Sequence, residues 1–176
     1  MGEFFFKDQD LITVSHALDI AEDATGNYYK LPSGQWGRYL YDVKTQESLG
    51  TDQIFPEAFA VLKKAQRIVE DLGSKIGEKD YYFICLHDRR ILDALQRDRK
   101  LGLLALLVYI FTHELVHIVR FCNFLQRYEA SEEMKEREEG LVHAATFNIL
   151  RDVSLPKLNY VLEAYKDHRI CQVVFS

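Results

Sequence analysis

"LLALLVYIFTHELVHIVRF", residues 103–121, is the stretch on which the fold turns. Its apolar residues run almost unbroken, which reads as a helix buried on all sides in a globular protein. Set into it are His113, Glu114 and His117. Unpaired ionisable groups in such a helix cost several kcal/mol, and a bound metal ion removes that cost by satisfying them.

The spacing fits that chemistry. His113 and His117 are four residues apart, so on a helix they project from one face, one turn above the other. Two imidazoles so arranged can both reach one ion at about 2.0–2.1 Å, the usual Zn–N distance. Glu114 sits one step round, awkward as a ligand but suited to holding a water bound to the same ion. The metal lowers that water's pKa toward about 7, and the carboxylate takes the proton as hydroxide forms. The pattern is the H-E-x-x-H of zinc metallopeptidases, written here H-E-L-V-H.

A catalytic zinc uses three protein ligands and keeps one position open. The continuation H-x-x-G-x-x-H is absent, because Arg120 stands where its Gly belongs and Asn123 where its third His belongs. The segment "EEMKEREEGLVHAATFNIL", residues 132–150, offers Glu132, Glu133, Glu136, Glu138 and Glu139 instead. A charge run of this kind is mostly a solvated helix face. A di-iron carboxylate site would need a second Glu-x-x-His, and where one would end in His143 its first position is Gly140.

"HELVH" followed about twenty residues later by "EEGLVHAATF" resembles the gluzincin class of zinc peptidases, over residues 113–117 and 138–147. The third ligand of that class often lies in a Glu-Gly stretch on the next helix. The resemblance implies a zincin-like fold, a Zn2+ cofactor, a peptide or protein substrate, His113 and His117 as zinc ligands, Glu114 as general base and Glu139 as third ligand. It also implies a substrate lying extended along a sheet edge, for which "DYYFICLHD", residues 80–88, is the expected edge strand. The apolar and aromatic residues that often precede the Glu-Gly are replaced here by "KERE".

On a helical wheel Met134, Leu141, Val142, Ala145 and Ile149 make one apolar stripe that includes Glu138. Glu139 lines up instead with His143, Thr146 and Leu150. The candidates for the third ligand therefore rank Glu139, then His143, then Glu138. His143 could also steady a ligand histidine. His87 and His168, and Tyr128, Tyr160 and Tyr165, could border a cleft, but none stands out from an ordinary structural role.

The rest of the composition narrows the classes. The chain has 176 residues, 48% hydrophobic and 28% charged, enough apolar material for a real core. A net charge of −5 argues against a nucleic-acid surface. Residues 101–119 are long enough to span a membrane, but Arg99, Lys100 and Arg120 bracket three ionisable groups and no second span covers them, so no membrane is expected. The N-terminus lacks a secretory pattern, and Phe6 stands where myristoylation wants Ser or Thr. Cys85, Cys122 and Cys171, far apart and odd in number, read as buried thiols of a cytoplasmic protein.

Along the chain, "LITVSHALDIAE" (11–22) fits either a strand or a short helix, and Tyr39, Tyr41 and Val43 alternate as in a half-buried strand. "FPEAFAVLKKAQRIVEDLG" (55–73) keeps helical spacing, and "DYYFICLHD" reads as a strand. From about residue 90 to the end the pattern is helical. The expectation is one α+β domain over 1–176, a small mixed sheet packed on the buried active-site helix, with an α+β lobe (1–98) and a helical lobe (99–176) carrying the metal motif. Two functions compete: a zinc-dependent peptidase, and a non-catalytic metal-binding regulatory or scaffold protein of the same fold.

Overall fold

A computed structural model describes residues 5–32, 36, 41–45, 58–70, 76–123, 131–168 and 170–175. The elements run α1 (Asp8–Tyr28), β1 (Tyr41–Lys44), β2 (Ala60–Glu70), β3 (Ile76–Leu86), α2 (Asp88–Arg97), α3 (Leu103–Cys122), α4 (Glu132–Leu150), α5 (Leu158–Tyr165) and β4 (Cys171–Phe175). The strands form one mixed sheet in the order β1-β3-β2-β4. β1 lies parallel to β3, β2 antiparallel to β3, and β4 parallel to β2. The expected α+β class holds.

The apolar run of residues 103–121 does become the central helix. Every residue of α3 from Ala105 to Val119 is buried, because α1, α4, α5 and β3 all pack around it. Helix α1 turns Val14, Ala17 and Ala21 into the core at helical spacing, and the two alanines, both fully buried, let its backbone lie close to α3. Its start is fixed by Asp10, whose carboxylate accepts a hydrogen bond from the Lys7 N–H at 2.9 Å. Among the described residues α3 is the one helix long and apolar enough to cross a membrane, and 83% of that stretch is buried inside the fold.

Residues 11–22, open between a strand and a short helix, belong to helix α1. Other expectations are corrected. The helix expected over 55–73 is instead strand β2, which pairs with β3 in unbroken register from Ala60↔Leu86 to Glu70↔Ile76. "DYYFICLHD" is a strand but not an edge: β3 lies between β1 and β2. The chain does not stay helical to its end, since Cys171–Phe175 adds β4 to the sheet beside β2. Tyr39 and Tyr128 lie outside the described residues.

Asp88 ties the chain's start to the sheet end. It is 1% exposed, opens α2, and accepts the Phe6 N–H at 3.1 Å. A carboxylate at a helix N-terminus also faces the positive end of the helix dipole. Asp88→Ala leaves that N–H buried and is expected to cost about 1–3 kcal/mol. A urea midpoint equal to that of the parent protein would contradict this.

Candidate metal centre

The core of α3 holds His113, Glu114 and His117 at 0%, 0% and 1% exposure. The fourth side chain of the cluster comes from α4. That helix is started by Ser131, whose hydroxyl accepts the Met134 N–H at 3.3 Å. The face it turns inward carries Val142, Thr146, Ile149 and Leu150. Met134 and Leu141, expected in the apolar stripe, are 54% and 46% exposed. The inward face therefore takes Val142 and Ile149 from that stripe and Thr146 and Leu150 from the face they share with Glu139 and His143.

The Glu139 carboxylate lies between three imidazoles. Its Oε1 is 2.9 Å from His113 Nε2 and 3.7 Å from His143 Nε2, and its Oε2 is 3.2 Å from His117 Nε2. Donors bound at about 2.0–2.1 Å to a tetrahedral ion stand roughly 3.3–3.4 Å from one another. The three observed separations bracket that value. The compact triad is His113, Glu139 and His143, with ligand atoms all within 4.8 Å of one another, and His117 meets the second carboxylate oxygen.

The same side chains are short of hydrogen bonds. His113 Nε2 and Glu139 Oε1, though 2.9 Å apart, are not aligned as donor and acceptor, and both are buried without a hydrogen-bond partner. His113 Nδ1 and both Glu114 oxygens are in the same position. Buried polar atoms are nearly always paired, so five orphans in one cluster call for a missing partner. A cation shared by these donors fits that need, and the mixed imidazole and carboxylate set suits zinc. One usual feature is lacking: a metal-bound histidine normally engages its other ring nitrogen, and His113 Nδ1 has no such bond.

Electrostatics follow the burial. Desolvation pushes the Glu139 carboxyl up, but the His113 and His117 rings facing it outweigh this and hold it well below the ordinary carboxylate range. Burial, reinforced by His113, pulls His143 down to about 4, so its ring is neutral near pH 7. Burial raises Glu114, and raises the Cys171 thiol further.

The other sequence candidates fall elsewhere. Glu138 is held by Arg120, whose Nε and Nη2 donate to its two oxygens at 2.8 Å each. His87 precedes α2, and Tyr160 donates its hydroxyl to Asp98. A cavity of about 690 Å³ opens beside the cluster, bordered by Tyr109, Glu139, His143, Phe147 and His168. Neither Glu114 nor His113 borders it.

Two residues join the site that the sequence reading did not single out. Tyr109 stands four residues before His113, a spacing that puts both on one face of α3 and was readable in advance. Cys171, the first residue of β4, lies with Glu114 and His113 in a group whose donor atoms are within 4.8 Å of one another. No local pattern announces that contact. Compared with family models, curated proteins and solved structures, the chain finds no match, so the reading of the site rests on its geometry.

Proposed function

We propose that this chain is a zinc-dependent peptidase of zincin-like fold. His113, His117 and Glu139 hold the ion and Glu114 is the general base. The observation that carries the reading is the convergence of donors from α3 and α4 on Glu139, whose two oxygens lie 2.9 Å from His113 Nε2 and 3.2 Å from His117 Nε2, with orphaned valences, next to a buried carboxyl group. Bound there, zinc supplies a Lewis acid that polarises a carbonyl and lowers the pKa of water toward about 7. The rigid packing of α3 fixes both histidines without mobile side chains to reorder. Glu114 accepts the proton of the attacking water and passes one to the leaving amine, which needs no other acid–base group. Glu139 contributes the negative charge that makes a dication tolerable among neutral rings.

A second reading is a metal-binding regulatory or scaffold protein without turnover. It is favoured by one observation: Glu114 is fully buried and does not border the cavity that reaches Glu139 and His143.

The two readings separate in one experiment. Protein loaded with zinc, stripped by chelator, and reloaded is incubated with a pool of denatured proteins, and new N-termini are identified by mass spectrometry. New termini are expected with the loaded forms and not with the stripped one. A fully zinc-occupied protein that produces none would overturn the peptidase in favour of the second reading.

A further inference from the structure

The assignment of His113, His117 and Glu139 leaves His143 unexplained. It is not an ordinary exposed histidine. Its side chain is 15% exposed, its ring lies 4.8 Å from that of His113, and its Nε2 is 3.7 Å from Glu139 Oε1. His113 and Glu139 together with His143 form a group whose donor atoms all lie within 4.8 Å of one another.

We assign its tautomer from the residues around it, giving the Tyr109 proton to the Tyr165 carbonyl. The Tyr109 hydroxyl has one proton, and the Tyr165 carbonyl oxygen, 3.4 Å away, can only accept it. The hydroxyl's remaining capacity is as acceptor, so the contact at 3.2 Å with His143 Nδ1 is an Nδ1–H donating to Tyr109. The Nε2 lone pair is then left free, on the side of the ring that faces Glu139. A hydrogen bond that fixes one ring nitrogen and frees the other is what a metal-ligating histidine requires. His113, a leading ligand candidate, lacks that support on Nδ1, whereas His143 has it.

Resting on the zinc reading above, we propose that His143 Nε2 is a fourth protein ligand, so that the ion is held by His113, His117, Glu139 and His143. Four protein donors fill a tetrahedral shell. His143 and Glu139 are also the two that border the 690 Å³ cavity, while His113 and His117 are sealed in the core. His143 and Glu139 are therefore the donors on the cavity side, and with the shell filled, water or a carbonyl oxygen would reach the ion only from their side. This reconciles a buried, fully satisfied centre with an adjacent cavity of small-molecule or peptide-segment size.

The test uses protein labelled with ¹⁵N at histidine, with long-range ¹H–¹⁵N spectra recorded before and after one equivalent of zinc. Three rings are expected to show metal-bound Nε2, one of them with its Nδ1–H already in place in the zinc-free protein. The His143→Ala spectrum identifies that ring by its loss. In a zinc competition assay His143→Ala is expected to weaken binding by more than about 100-fold, and Tyr109→Phe, which only frees the ring, by about 10–100-fold. Two bound rings in the parent protein, with zinc at full occupancy, would overturn the proposal and leave the three-ligand reading standing. Should His143→Ala fail to fold, the parent spectrum decides alone. A protein that takes up no zinc would overturn both readings together.

Discussion

Glu114→Gln is expected to lower hydrolysis by about 10²–10⁴-fold, the range for a lost general base, while zinc content stays at about one ion per chain. The substitution replaces a carboxyl oxygen by an amide nitrogen of nearly the same size, so the packing of the core around residue 114 is kept. What is lost is the ability to take a proton from water and return it. Glu114 is buried beside the Cys171 thiol, and the amide oxygen of Gln can still accept from that thiol, so the change leaves this contact in place. A carboxyl group in that setting adds nothing evident to stability. Its retention in the middle of α3 is better explained by chemistry. The measurement is zinc-dependent release of new N-termini by parent and variant at equal zinc occupancy. Equal activity would remove Glu114 from the mechanism. A fall in zinc content would make it a ligand rather than a base.

The sequence disclosed the elements whose signal is local. The α3 run read as a buried helix, since its apolar residues cover the whole circumference and three ionisable groups within it weigh against a membrane span, and the His-x-x-x-His spacing on it has a direct geometric consequence. Strand β2 was hidden because "AVLKKAQRIVE" is written in helix-forming residues whose apolar members also keep helical spacing. Its eleven backbone pairings to β3 outweigh that local preference, an instance of tertiary context deciding the state. Strand β4 could not be read in isolation: five residues become a strand only because β2 lies alongside. Helix α4 shows the same limit in the site itself. Its wheel offered two faces, and the more apolar one is split: Met134 and Leu141 face solvent, while Val142 and Ile149 are buried. What turned the helix was Val142, Thr146, Ile149 and Leu150 packing inward, together with Arg120 capturing Glu138. Neither partner choice is written within α4. Cys171 reached the site by the same kind of long-range pairing.

That capture by Arg120 makes neighbouring glutamates opposites in a test of zinc binding. Glu139→Ala is expected to weaken zinc affinity by more than about 100-fold, beyond the range of losses in outer-shell partners. Glu138→Ala is expected to change it little. The carboxylate of Glu139 lies against His113, His117 and His143 at the distances given above, and without it the three rings would have to hold a dication in the protein interior with no carboxylate among the ligands. Folding should be less affected, because the Glu139 side chain is 19% exposed and its removal leaves a gap toward the cavity, not a void in the core. Glu138→Ala instead breaks a two-point ion pair on the rim and strands Arg120, whose side chain is 18% exposed, so its effect should appear in stability. Zinc competition against a chromophoric chelator, with circular dichroism as the control for folding, reads both variants. Similar zinc affinities for the two would mean that Glu139 is not a ligand, and a loss confined to Glu138→Ala would require α4 to rotate by one residue from the arrangement described.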